Sequence, residues 1–120
     1  MRYFLDTYAL IEIANGNPDY KKYLEDEAVT FKGNLAELYY FFLRQYDLNK
    51  AIDSFNKFSK IVEELPLIVI PHTVTFKFKY KKMRLSYIDC FGYIYALESG
   101  RVFLTGDRAF KGMKNVEIVR

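Results

Sequence analysis

Thiol and imidazole side chains are almost absent from this chain, which has one cysteine, Cys90, and one histidine, His72. A lone cysteine closes no internal disulfide, and a zinc site of the usual Cys and His ligands is excluded, so any metal ion must be held by oxygen. Long apolar runs are missing as well. The longest, Leu67 to Ile70 and Leu38 to Leu43, fall far short of the roughly 20 residues that a membrane span needs, and the N-terminus carries no signal-peptide pattern. No membrane association is expected, and a cytoplasmic location is. There is no internal repeat or low-complexity tract. What the chain does have is apolar mass: 120 residues, 51% hydrophobic and 18% aromatic, are ample for the core of one compact domain spanning 1–120.

Periodicity orders the chain into alternating elements. Residues 2 to 5 read as a short buried strand, followed by a helix from Thr7 to Asn15 that Gly16 ends. Pro18 suits the first turn of a surface helix over Asp19 to Glu27, with Tyr20, Tyr23 and Leu24 as its apolar stripe, and Ala28 to Phe31 is a second strand. Asn34 opens the strongest helical pattern, with Leu35, Leu38, Phe41 and Phe42 on one face as far as Tyr46. Another amphipathic helix covers Asn49 to Glu64, with Ile52, Phe55, Phe58 (or Ser59) and Val62 inward. The run Leu67-Ile68-Val69-Ile70, bounded by Pro66 and Pro71, predicts a central strand. Thr73 to Lys81 alternates with period two, so its local pattern favours strand, although a helix is serviceable there too. Residues 87 to 98 are helical with Cys90, Ile94 and Leu97 on one stripe and Gly100 as a stop. Val102 to Leu104 and Val116 to Val119 complete the strands. This order predicts an α/β fold, a mostly parallel sheet covered by helices on both faces.

Four carboxylates stand at informative places. Asp6 follows the first strand directly, Asp107 follows the strand near 102, and Glu37 and Asp89 fall in the first turns of helices. Each has a plain structural role available. Asp6 can cap the helix at Thr7, Glu37 stands three residues after Asn34 and Asp89 three after Ser86 as in capping boxes, and Asp107 in Thr105-Gly106-Asp107-Arg108 can be a turn or cap residue. In a parallel layer, however, every strand's carboxyl end and every following helix's N-terminus face one way, into the crevice where ligands bind. Clustered carboxylates repel one another unless a cation neutralises them, and Mg²⁺ or Mn²⁺ does so with oxygen ligands. With four acids gathered in one pocket, the rest of the molecule sets 18 cationic side chains against 11 acidic ones. That balance suits a polyanion laid across a small acidic hole.

The segments Tyr3-Phe4-Leu5-Asp6-Thr7, Asn34-Leu35-Ala36-Glu37-Leu38, Leu85-Ser86-Tyr87-Ile88-Asp89-Cys90 and Phe103-Leu104-Thr105-Gly106-Asp107-Arg108-Ala109-Phe110 resemble, in order and spacing, the PIN domain. This is the small nuclease fold of the toxin halves of VapBC toxin–antitoxin pairs. The resemblance covers nearly the whole chain. It implies a PIN-like three-layer sandwich and a metal-dependent endoribonuclease using Mg²⁺ or Mn²⁺ to activate water. Asp6 and Asp89 would be the leading metal ligands, Glu37 and Asp107 would complete the shell or orient the water, and Thr105 would be a hydrogen-bonding neighbour. It further implies an RNA substrate, an antitoxin partner and a homodimer, and it favours helix over Thr73 to Lys81. Cys90 departs from the small residue, such as Ala, often found there.

The basic stretch Lys77, Lys79, Lys81, Lys82 and Arg84 offers contacts to RNA phosphates, which position a strand without reading its sequence; a solvated helix face is the rival explanation. Arg108 and Lys111 flank Asp107 and can meet substrate or pair with the acids. His72, alone after Pro71, is expected to be structural, and Cys90 a small buried hydrophobe. Tyr39, Tyr40, Phe41 and Phe42 cannot all face inward from one helix, so one or two are expected at an oligomer interface or in a groove for a partner helix. The alternatives to a toxin are a housekeeping RNA-processing nuclease of the same fold and an inactive PIN-like binding module whose acids are only caps.

Overall fold

Side-chain alternation in two short strands divides the interior into two cores. In β1 (Arg2–Leu5), Tyr3 and Leu5 face one layer and Phe4 the other, and in β3 (Val102–Thr105), Leu104 and Phe103 do the same. All five side chains are buried, as expected of central parallel strands covered on both faces. The computed structural model describes residues 1–120. Its sheet has the order β2-β1-β3-β4, with β2 at Glu27–Val29 and β4 at Val116–Ile118, and every pairing is parallel.

One core joins Tyr3, Leu5 and Leu104 to α1 (Thr7–Ala14), to a 3₁₀ helix at Pro18–Glu25, to α2 (Lys32–Gln45) and to α3 (Leu48–Phe58). The other packs Phe4, Val29 and Phe103 against α4 (Val69–Lys79) and α5 (Tyr87–Ser99). The result is a three-layer sandwich. Gly92 lets α5 lie close to the sheet, because a Cβ there would stand 2.5 Å from the Phe4 ring.

The structure corrects several expectations. Leu67 to Ile70 is no strand: Leu67 and Ile68 sit exposed in a turn, and α4 begins at Val69. Pro71 is the third residue of that helix, where a missing N–H costs nothing because amides in the first turn have no intrahelical acceptor. The segment Thr73 to Lys81 is helical through Lys79, as the resemblance favours and against its local period-two pattern, and the sheet has four strands, with Val62 adding only a single parallel bridge to Thr30. The predicted surface helix after Pro18 is a 3₁₀ helix that buries Tyr20 and Tyr23 and leaves Leu24 exposed. In α3 the inward stripe is Ala51, Ser54 and Phe58, and Ile52 and Phe55 face out, one step round from the expected face; the helix ends at Phe58 and a 3₁₀ turn carries the chain to Ile61. The α2 helix starts at Lys32, with Phe31 at the cap position, so Asn34 and Glu37 form no capping box.

Candidate active site

Each candidate acid is set in place by the end of a regular element. The backbone of Asp6 leaves β1 by donating its N–H to the Leu104 carbonyl, and its Oδ1 accepts the Ala9 amide at 2.9 Å, capping α1. Asp89 forms the capping box of α5: its amide donates to Ser86 Oγ at 3.0 Å and its Oδ2 accepts the Ser86 amide at 3.3 Å. The Asp107 Oδ1 accepts the Ala109 amide at 2.9 Å, and its own N–H donates to Thr105 Oγ1 at 3.0 Å. Gly106 holds this turn tightly against α1, since a Cβ there would meet the Tyr8 ring at 2.0 Å. Three of the four acids are therefore caps, as their local sequence allowed.

They are also within electrostatic reach of one another. Asp6 is 3% exposed, and its carboxyl is pushed up to about 7. Burial is the main cause; hydrogen bonds from the Thr105 hydroxyl and the Ala9 amide oppose it, and the charges of Asp89 and Asp107 push the same way as burial. Asp89 is likewise raised, first by burial, with the Asp107 charge adding and the Ser86 contacts and Lys77 subtracting. None of the four acids has an ion-pair partner. Glu37 joins the group by another route: its Oε1 accepts the Thr7 hydroxyl at 2.5 Å, and Thr7 Oγ1 in turn accepts Asn34 Nδ2 at 3.1 Å. Thr7 and Asn34 are thus parts of the site that sequence reasoning missed. Their link spans 27 positions and has no local signature.

Among the basic candidates, Lys77 lies beside the acids. Its Nζ donates to the Leu85 carbonyl at 2.6 Å, sits 5.0 Å from the centre of the Tyr87 ring, and acts electrostatically on Asp89. Lys79 and Lys81 lie over the rings of Tyr80 and Phe78, and Lys82, Arg84, Arg108 and Lys111 are exposed. His72 pairs with Glu98 at 2.7 Å. Glu98 is nine residues beyond Asp89 on α5, about 14 Å along the helix, so this pair belongs to the far end of the layer. Cys90 is fully buried, and burial pushes its thiol up to about 11.

The donor set fits a hard divalent cation. All available ligand atoms are oxygens, Asp6 is desolvated without a compensating charge, and each capping carboxylate commits one named oxygen to its helix, Oδ1 in Asp6 and Asp107 and Oδ2 in Asp89. Contrary to the expectation of four acids gathered in one pocket, no three or more acidic, His or Cys side chains are grouped so that they could hold a metal ion by themselves. An ion here would be gripped by one or two carboxylates and completed by water and substrate oxygens, which is the usual habit of Mg²⁺.

A parallel α/β layer with desolvated acids at the carboxyl edge of its strands defines the class of this domain. The chain belongs to the PIN domain family, whose model matches residues 3–116. Solved structures of similar fold include VapC20 of Mycobacterium tuberculosis, described as a Sarcin-Ricin loop cleaving toxin (TM-score 0.80, 15% identity, covering 97% of this chain and 98% of that one). VapBC2 from Rickettsia felis, bound to a DNA fragment from its promoter, is similar too (TM-score 0.79, 18% identity, 100% of both chains). So is a toxin-antitoxin complex from Klebsiella pneumoniae (TM-score 0.74, 17% identity, 96% and 95%). At these identities the likeness is one of fold. No curated protein matches the sequence.

Proposed function

We propose that this chain is a metal-dependent endoribonuclease, the toxin of a VapBC-type pair, with Asp6 and Asp89 as leading ligands of Mg²⁺ or Mn²⁺ and with Glu37 and Asp107 completing the shell or orienting water. The observation that carries this is Asp6, an almost sealed carboxyl at a strand's end, unpaired, titrating near 7, and within reach of two more acids. When bound, the ion polarises the phosphodiester and lowers the pKa of the attacking water. The chain supplies the positioning. Thr105 and the Ala9 amide hold Asp6, Thr7 holds Glu37, and Lys77 brings a tethered cation to the Asp89 side, where it can meet a substrate phosphate. Lys79, Lys81, Lys82, Arg84 and Arg108 are further phosphate contacts.

An antitoxin partner and a homodimer are supported by the toxin–antitoxin complexes among the similar folds and by large apolar side chains left exposed, Leu67 and Ile68 beside α4 and Tyr40 on α2. The test is RNA cleavage with Mg²⁺ or Mn²⁺ against EDTA. The wild-type chain cleaves only with metal, and Asp6→Asn and Asp89→Asn each slow cleavage about a hundredfold or more; variants as fast as wild type defeat the proposal.

The cap contacts of Asp6, Asp89 and Asp107 favour a second possibility, an inactive binding module. It differs in one cheap measurement. A metal that binds only the folded chain raises its melting temperature by mass action, and a module whose acids are only caps shows no such rise.

A further inference from the structure

Between α4, α5 and the loop before β4 lies a groove of about 570 Å³, within the size range of small-ligand sites. Helix α4 lends it Phe76, Lys79 and Tyr80, α5 lends Tyr93, and the loop lends Met113 and Lys114. No acidic side chain lines it. Lys79 and Lys114 are exposed and have no ion-pair partner, whereas His72, which also borders the groove, is held by Glu98. The Lys79 Nζ stands 5.3 Å from the centre of the Tyr80 ring, and Phe76 packs on Tyr80 and Tyr93 with ring centres 4.9 and 5.4 Å apart. Cation and flat apolar surface lie side by side.

A second, independent observation is the Tyr93 hydroxyl. Tyr93 is 4% exposed, burial and the neighbouring Tyr80 push its phenol upward, and no group of the chain hydrogen-bonds it. Unlike the orphaned oxygens of Asn34 and Thr73, this hydroxyl is not sealed from solvent, and Tyr80, whose charge it feels, lines the same groove. One group able to give and to accept a hydrogen bond is thus left open at an aromatic floor. Such a floor suits a ligand with a flat body and a polar edge.

We propose that this groove is an RNA-holding subsite outside the acidic centre, seating one base of a single-stranded segment that flanks the cleaved bond. The base lies against Phe76 and Tyr80 with its edge on the Tyr93 hydroxyl, and Lys79 and Lys114 meet the adjoining phosphates. The choice of RNA as occupant rests on the nuclease function proposed above. Charge supports it, because a partner matched to the apolar walls alone would leave two cations without counterions, whereas single-stranded nucleic acid brings rings and phosphates together. Placement supports it as well. Gly112, on the groove, is five residues beyond Asp107, a span of at most roughly 18 Å that the turns after Asp107 shorten further. Arg108 and Lys111, both exposed, mark the way between acids and groove.

The experiment follows the amides of the isotopically labelled full chain by NMR in EDTA, titrated with a single-stranded RNA of about twelve nucleotides or with inorganic polyphosphate, which has the charge and no bases. RNA shifts Tyr93, Leu97, Gly112 and Met113; polyphosphate leaves Tyr93 and Leu97 in place. Tyr93→Phe keeps the ring packing and so the fold, and it weakens RNA about threefold to tenfold, the worth of one hydrogen bond. Replacing Lys79 and Lys114 together by Ala lowers the slope of log affinity against log salt by about 1.4, two phosphate contacts to a single strand. Polyphosphate shifts equal to those of RNA, RNA shifts that bypass Tyr93 and Leu97 or none at all, or either variant binding like wild type overturns the subsite. RNA cleavage with Mg²⁺, assayed in parallel, separates the two proposals. Cleavage without shifts in the groove sinks the subsite alone, and shifts in the groove without cleavage sink the nuclease alone.

Discussion

Replacing Asp6 by asparagine separates the cost of burying an acid from its use. The Asp6 carboxyl titrates near 7 in the fold against an ordinary value of 3.8, with burial as the main cause. The folded state therefore holds this proton more tightly than the unfolded chain does. Its contribution to stability is complete below about pH 4 and is lost as pH rises through 7, an effect of at most about 4 kcal/mol. Asparagine keeps one acceptor oxygen for the Ala9 amide and carries no charge. Without metal, the two proteins should match near pH 4, and Asp6→Asn should be the more stable at pH 8 by about 2–4 kcal/mol. Adding Mg²⁺ at pH 8 should then raise the melting temperature of wild type and leave the variant unchanged. Urea denaturation in EDTA from pH 4 to 8.5 measures the gap, and because it is a difference between two chains, the titration of the other acids largely cancels. A gap that does not vary with pH, or a variant less stable than wild type at pH 8, refutes the reasoning.

The remaining predictions concern the frame around the acids. Gly106→Ala must push the Tyr8 ring aside and should cost about 1–3 kcal/mol in urea denaturation; unchanged stability would show that the Thr105 to Asp107 turn is not pinned as described. Asp107→Asn preserves an oxygen for the Ala109 amide and should keep wild-type stability, whereas Asp107→Ala should lose about 1 kcal/mol, and both should weaken the Mg²⁺-induced rise in melting temperature. An undiminished rise in both would remove Asp107 from the metal shell. Arg101, buried between Glu27, Glu63 and the Tyr95 hydroxyl, should cost about 1–3 kcal/mol on replacement by Met, without changing the metal response, because it immediately precedes β3, at the edge opposite the acids. Loss of the metal response in a folded Arg101→Met chain would contradict that separation.

How much of this was legible in the sequence depended on how local the signal was. Tyr3-Phe4-Leu5 and Phe103-Leu104 read correctly as buried strands, and Ser86, Asp89 and Gly100 bounded α5, because each signal is complete within a few residues. Leu67 to Ile70 misled because an apolar β-branched run fits a strand equally well, and the two facts that decide against it are not local. The run finds no neighbour in the sheet, and Leu67 and Ile68 stay exposed. The face of α3 was misjudged for a related reason: Ala51 and Ser54 are small enough to let α3 approach its neighbours, so the larger Ile52 and Phe55 are turned outward. At the site, the strand-to-acid junctions pointed to Asp6 and Asp107. Asn34 was taken for a helix opener because its true partner, Thr7, is supplied by another element.

The choice between cap and ligand, which sequence alone left open for every acid, turns out to be a false one. A carboxylate has two oxygens, and a cap consumes one. In Asp6, Asp89 and Asp107 the oxygen that accepts a backbone amide fixes the side chain at a helix entrance, and helix entrances in a parallel layer share one edge. The caps therefore deliver preoriented second oxygens to that edge. They also raise the electrostatic cost of leaving them uncompensated, because a side chain locked to its own helix cannot swing away from its neighbours' charges. A solvated cap on a surface helix pays no such penalty. At Asp6 that penalty adds to the larger cost of burial in a carboxyl that holds its proton up to about pH 7; the Thr105 and Ala9 hydrogen bonds relieve part of it, and a bound cation would relieve more.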